Sequence, residues 1–242
     1  MPQQQLDWTE YAAALFDLDG VITPTAEVHM RAWAAMFGEL LADRPEVAPY
    51  TDADYYTYVD GRPRYDGVRS FLASRDIHLP EGDPGDPATA ETVCGLGNRK
   101  DAMFSKVLAD QGVTAYPGSV ALLESLKEQG TPMAIVSSSR NAPAVLRAAD
   151  VEDYFDTVVS GAVAAELGLA GKPAPDTFLH AAEVLGSPPG RAVVLEDAVS
   201  GVAAGRAGQF GLVVGVDRGA GVRALTEGGA DVVVVDLREL VP

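Results

Sequence analysis

Six short runs of apolar, largely β-branched residues constrain this chain most: Ala12 to Phe16, Met133 to Val136, Thr157 to Val159, Ala192 to Leu195, Leu212 to Val216 and Val232 to Val235. Segments with helical spacing lie between them, and such alternation is the mark of a parallel sheet with helices on its faces. The spacing is uneven. Between Thr25 and Thr114 no buried strand is expected; Val28, Trp33, Phe37 and Leu41 recur at helical intervals, as do Val68, Phe71 and Leu72. A mostly helical insert over 25–113 therefore interrupts an α/β core made of 1–24 and 114–242. Its hinges fall at Thr23-Pro24-Thr25 and Ala115-Tyr116-Pro117-Gly118, where proline and glycine break both periods. The Pro-, Gly- and Asp-rich stretch from Pro80 to Pro87 reads as a loop inside the insert.

Charge narrows the partners. Acidic residues outnumber basic ones 35 to 18, a net charge of −17, and that average field repels a nucleic acid or an anionic membrane surface. Neither is expected as a partner. A small anionic substrate would need its own cluster of Lys, Arg, backbone N–H groups or metal. The single cysteine, Cys94, excludes an internal disulfide and a cysteine-based zinc cluster, in keeping with a reducing compartment. Met1 to Glu10 has no basic stretch followed by an apolar one, and the apolar runs fall short of the ~18 residues of a membrane helix. The expected location is the cytoplasm.

The strands end in chemistry. The first runs into Phe16-Asp17-Leu18-Asp19-Gly20-Val21, two carboxylates one residue apart at the edge where open α/β sheets bind ligands. Two anions so close call for a cation or a proton. The second strand ends in Ser137-Ser138-Ser139-Arg140-Asn141, a hydroxyl-rich turn before a helix starting near Ala142, suited either to simple capping or to holding phosphate. Lys172 stands between Gly171 and the rigid Pro173-Ala174-Pro175 that opens the helix carrying Phe178 and Leu179. The strand Val193-Val194-Leu195 then leads into Glu196-Asp197. Four acids at two strand ends suit a hard divalent cation, Mg²⁺, that keeps open positions for water and phosphate.

Asp-x-Asp-Gly-Val, then strand-Ser, then Lys-Pro, then Glu-Asp, in this order, resembles the haloacid dehalogenase-like superfamily of phosphotransferases. The separation of 120 residues from Asp17 to Ser137 resembles that of members that carry a helical cap between the first two motifs. Asp19-Gly20-Val21-Ile22, Thr25-Ala26-Glu27 with His29 and Trp33, Gly61 with Arg64, Arg99-Lys100-Asp101 and Lys172 to Asp176 resemble the β-phosphoglucomutase branch. Pro24 departs from it, standing where relatives often have Asp. The resemblance implies a Rossmann-like parallel sheet flanked by helices with an inserted helical cap domain.

It also implies roles. Asp17 would be the nucleophile that becomes an aspartyl phosphate, and Asp19 the general acid/base. Ser137 and Lys172 would bind the transferring phosphoryl oxygens. Asp17, Glu196, Asp197 and the backbone carbonyl of Asp19 would hold Mg²⁺. Arg64, Lys100, Ser139, Arg140 and Asn141 would bind substrate, with Arg64 taking the phosphate that is not reacting. His29 is expected near the substrate or, equally, as a core residue of its Trp-containing helix. The implied activity is a sugar-phosphate phosphomutase interconverting β-glucose 1-phosphate and glucose 6-phosphate through a bisphosphate. A phosphatase on a related sugar phosphate is the alternative, and a binding protein without turnover a third. The sequence is silent on oligomeric state and compatible with a monomer.

Other motifs lead elsewhere. Gly168 to Pro173 lacks the upstream glycine and the Ser/Thr of a P-loop, and no Gly-x-Ser-x-Gly elbow exists. Gly201, Gly205 and Gly208 are spaced wrongly for a dinucleotide fingerprint and are expected to let the helix after Asp197 pack closely on the sheet. His78 and His180 are expected to be structural or surface residues, and Cys94 a small buried one.

Overall fold

The computed structural model describes residues 6–242. Among them, six strands form one wholly parallel sheet: β1 Ala13–Phe16, β2 Met133–Val136, β3 Thr157–Val159, β4 Ala192–Glu196, β5 Leu212–Val216 and β6 Val232–Val234. Their order is β3-β2-β1-β4-β5-β6. The chain steps outward from β1 to β3, returns to the other side of β1, and steps outward again. That reversal between β1 and β4 is a topological switch point, where open α/β sheets take ligands at the carboxyl ends of their strands.

Every residue of β1, β2 and β4 is buried. Strands covered on both faces read as continuous apolar runs, which is why they stand out in the sequence. The boundaries differ from the apolar runs by single residues. Ala12 lies outside β1, its N–H donated to Arg191 O. Glu196 extends β4, pairing with Gly215 of β5 despite its charge. Val235 falls outside β6 because its N–H is taken by Glu239 Oε1 of the final helical turn, leaving the side chain 60% exposed.

Contacts divide the chain into two compact units, Met1–Pro24 with Val113–Pro242, and Thr25–Gly112. The first holds the sheet and the helices α5 Pro117–Glu128, α6 Ala142–Ala148, α7 Gly161–Leu167, α8 Asp176–Val184, α9 Val199–Ala207 and α10 Val222–Gly228. In its core Leu15, Val136, Val194 and Val213 of the strands meet Phe178, Val202 and Leu225 of the helices. The second unit is helical: α1 Thr25–Leu41, a turn α2 Asp52–Asp54 running into the π-helical Tyr55–Val59, α3 Arg64–Ser74 and α4 Val93–Gln111. Thr92 caps α4, its Oγ1 accepting the Gly95 N–H at 2.9 Å. The core of this unit is aromatic, with Phe37 and Phe71 ring centroids 4.0 Å apart and Trp33 5.3 Å from Phe37. Residues 79–92 form no helix or strand. Cys94 is buried and free.

Candidate active site

Strand β1 delivers Asp17 to the switch point. Its N–H is donated to Leu195 O of β4 at 2.9 Å, so the residue continues the sheet before the chain turns. Lys172 approaches from the loop before α8. Its Nζ lies 2.6 Å from Asp17 Oδ1 and 2.5 Å from Glu196 Oε1, and donates to Val136 O at the end of β2 at 2.9 Å. One ammonium thus ties the ends of three adjacent strands. Its side chain is only 1% exposed and packs over the Phe178 ring at 5.0 Å.

Burial sets the electrostatics. It pushes the Asp17 carboxyl well above the usual carboxylate range; Lys172 opposes this, while Glu196 and Asp19 reinforce it. For Lys172 burial works against the ammonium, but the charges of Asp17 and Glu196 outweigh it and hold the pKa above the ordinary lysine value. Lys172 is therefore a fixed cation, and Asp17 depends on neighbouring positive charge to stay ionised.

Asp17, Glu196 and Asp197 each present an oxygen within 4.8 Å of the others, and all three are buried. Two glycines clear the space. A Cβ on Gly20 would stand 1.8 Å from Asp197 Oδ2, and one on Gly201 would stand 1.8 Å from Glu196 Oε1. Gly205, by contrast, meets Val194 and Val213 of the sheet, and Gly208 meets Phe210. So of the three glycines expected to seat α9 on the sheet only Gly205 does so; Gly201 makes room for a carboxylate and Gly208 for the Phe210 ring. The Ala198 N–H is donated to Glu196 Oε2 at 3.0 Å. Three buried carboxylates, two of them paired with one ammonium, offer only hard oxygen donors, which fits a divalent cation.

Asp19, part-buried, sits in the turn after β1. Gly20 adopts φ +86° there, which a Cβ disfavours, and its N–H is donated to Thr23 O at 2.7 Å. Ser137 follows Val136, whose carbonyl holds Lys172. It is buried, its N–H goes to Val159 O at 3.0 Å, and its Oγ accepts from Ser139 N at 3.1 Å. Ser139 Oγ in turn accepts the Asn141 N–H at 3.1 Å, and Arg140 is exposed.

The remaining candidates belong to the helical unit. Arg64 is ion-paired with Asp101 at 2.8 Å. Lys100 is hydrogen-bonded to His29 Nδ1 and lies over the Trp33 and Phe104 rings, at 5.1 and 5.3 Å. The His29 ring stacks on Phe104 at 4.0 Å. His78 is exposed beside Asp76.

Several residues around the Asp19 turn carry no sequence signature. Ser119 Oγ donates to Val21 O at 2.6 Å, the Tyr116 N–H to Ile22 O at 2.9 Å, and Arg218 Nε to Gly20 O at 2.9 Å. The one available sign was position: Arg218 stands two residues past β5, at the carboxyl end of a strand.

Comparison with known proteins shows the family and the fold. Residues 11–209 match the family model described as haloacid dehalogenase-like hydrolase. The chain is 52% identical over 237 residues to a β-phosphoglucomutase of Mycobacterium bovis, covering 94% of this chain and 90% of that protein. Among solved structures, a β-phosphoglucomutase of Clostridium difficile superposes with TM-score 0.77 at 24% identity, covering 95% of this chain and 93% of that one. The CbbY protein of Rhodobacter sphaeroides, in complex with xylulose 1,5-bisphosphate, superposes with TM-score 0.73 at 24% identity, covering 95% and 96%.

Proposed function

Because the chain belongs to the haloacid dehalogenase-like hydrolase family and is a phosphotransferase, we propose that it is a Mg²⁺-dependent phosphomutase converting β-glucose 1-phosphate to glucose 6-phosphate. The observation that carries the reading is the Asp17–Lys172–Glu196 cluster at the switch point, in a chain 52% identical to a β-phosphoglucomutase over nearly its whole length.

Asp17 is the nucleophile. A carboxylate oxygen attacks phosphorus of a bound sugar bisphosphate, the bond from phosphorus to the sugar oxygen breaks, and an aspartyl phosphate forms. Asp19 gives its proton to the departing oxygen. In the return step Asp19 takes a proton from the attacking hydroxyl of β-glucose 1-phosphate, which accepts the phosphoryl group at its 6-position. The resulting 1,6-bisphosphate then gives its 1-phosphate to Asp17 and leaves as glucose 6-phosphate. Lys172 and Ser137 bind the phosphoryl oxygens in transit, where a fixed cation and a fixed donor need no reorganisation. Asp17, Glu196 and Asp197, with the Asp19 carbonyl, would hold Mg²⁺, which when bound neutralises charge on those oxygens.

Arg64 supplies the cation for the phosphate that is not reacting. Lys100, His29, Ser139, Arg140 and Asn141 serve the sugar and its substituents. The family's description as a hydrolase keeps one other reading, a sugar-phosphate phosphatase, in which water takes the phosphoryl group from Asp17.

The product assay decides between them. β-Glucose 1-phosphate with Mg²⁺ and a trace of glucose 1,6-bisphosphate is expected to yield glucose 6-phosphate, with inorganic phosphate a minor product by ³¹P NMR. Stoichiometric inorganic phosphate and free sugar would make the enzyme a phosphatase instead.

A further inference from the structure

We propose that Arg218 is a positioning residue that fixes the Asp19–Gly20 turn for catalysis, an inference that rests on the roles proposed for Asp17 and Asp19. A trans peptide is planar, with its N–H and C=O directed oppositely. The Gly20 N–H is donated to Thr23 O at 2.7 Å, so the Asp19 carbonyl of the same peptide is turned away from Thr23. The next peptide presents the Gly20 carbonyl, which accepts Arg218 Nε at 2.9 Å. Gly20 is the residue of the turn with the greatest backbone freedom, and both peptides flanking it are pinned.

Arg218 is itself held. Its Nη1 donates to Val235 O at 2.8 Å, and its guanidinium lies 4.0 Å above the Tyr116 ring centroid. A planar fork that donates along one edge and stacks on its face is a task for arginine and not for lysine. Its third nitrogen, Nη2, is buried with no hydrogen-bond partner among the described residues, a desolvation cost the fold carries to keep the group there.

Three consecutive carbonyls of the turn are thereby satisfied, each differently. Ile22 O takes a backbone N–H from Tyr116, Val21 O the Ser119 hydroxyl, and Gly20 O the Arg218 guanidinium. The carbonyl nearest Asp19 is the one held by a long side chain from a distant loop. With Arg218 removed, the Gly20–Val21 peptide can rotate and carry Asp19 off its line to the leaving oxygen.

The test compares Arg218→Ala, Arg218→Lys and, as an exposed control, Arg223→Ala. Turnover with Mg²⁺ of an alkyl phosphate monoester, whose leaving oxygen needs a proton, is one readout; the amide hydrogen exchange of Gly20 in metal-free protein is the other. Arg218→Ala is expected to lower kcat about 100-fold with little change in KM, the cost of a small misplacement of a reacting group. Its Gly20 amide should exchange at least ~10-fold faster while amides of β1 and β4 keep their protection. Arg218→Lys should recover part of both, and Arg223→Ala should match the wild type. A kcat for Arg218→Ala within about threefold of wild type, or unchanged Gly20 exchange, overturns the proposal. Exchange that rises throughout the sheet also overturns it, since Arg218 would then be only structural. A wild-type protein that turns over no phosphate ester defeats the functional reading instead, and Gly20 exchange then judges the clamp alone.

Discussion

Gly20 and Asp197 approach so closely that a Cβ on the first would stand 1.8 Å from Oδ2 of the second. The turn after β1 and the end of β4 are thus fitted to each other through the absence of a side chain. Gly20→Ala meets that clash and a φ of +86° together, and the backbone term alone costs roughly 1–2 kcal/mol. The variant is expected to fold with a displaced turn and to lose about 100-fold or more in kcat. Activity near wild type would mean that Asp197 moves freely.

Asp17→Asn removes both the attacking oxyanion and one anionic ligand of the proposed metal. Turnover should fall roughly 1,000-fold or more, with circular dichroism and melting temperature close to wild type. Acid-quenched wild-type enzyme should carry phosphate on Asp17, detectable by mass spectrometry, and the variant none. Chelation by EDTA should abolish wild-type activity and added Mg²⁺ restore it; activity that survives chelation would refute the metal requirement.

Lys172→Met leaves Asp17 and Glu196 buried without their cation. Breaking a buried pair in this way costs about 3–5 kcal/mol, so chemical denaturation at pH 7 without metal should show a loss of that order. The pH dependence has a definite sign. Burial already raises the Asp17 carboxyl, and losing Lys172 raises it further, so the folded variant binds protons that the unfolded chain has released. Its stability is fullest below the unfolded carboxylate pKa of about 4 and is lost as pH rises through the folded value. A deficit that does not shrink toward acid would contradict this.

In the helical unit Asp54 accepts two hydrogen bonds from Arg75 Nη2, both at 2.8 Å, and the arginine lies 4.9 Å over the Phe71 ring. Burial works against the Asp54 charge, but the bonds from Arg75 and Thr51 outweigh it and hold the carboxyl below its usual range. Stability from this group is present above the unfolded pKa of about 4 and is lost as pH falls through the folded value. Asp54→Asn should cost about 1–2 kcal/mol at pH 7 and show no such acid-dependent loss; an equal acid slope in both proteins would assign it elsewhere.

What was legible in the sequence follows from where apolar runs stop. Strands buried on both faces leave no ambiguity of phase, and the abrupt change from Leu-Phe to Asp17, from Ile-Val to Ser137 and from Val-Leu to Glu196 marks a strand end and a site at once. Gly201 was harder, because a glycine that admits a carboxylate and one that admits a sheet valine have the same spacing. Arg218 offers nothing beyond its position past β5, because its partners are backbone carbonyls of Gly20 and Val235, and every residue has one. In the helical unit Arg64 reads as a cation, whereas its pairing with Asp101 becomes evident only when α3 and α4 are laid side by side.

The strand order imposes a schedule on the growing chain. β1 is synthesised first yet occupies the middle of the sheet, with Ala14 paired to Met133 on one side and to Val193 on the other. The helical unit is contiguous and can complete its own aromatic core while β1 still waits for partners. Contacts so distant in sequence close late and slow folding. The cluster of Asp17, Lys172 and Glu196 can form only after β4 has docked beside β1, so the proposed site is complete only once contacts distant in sequence have closed.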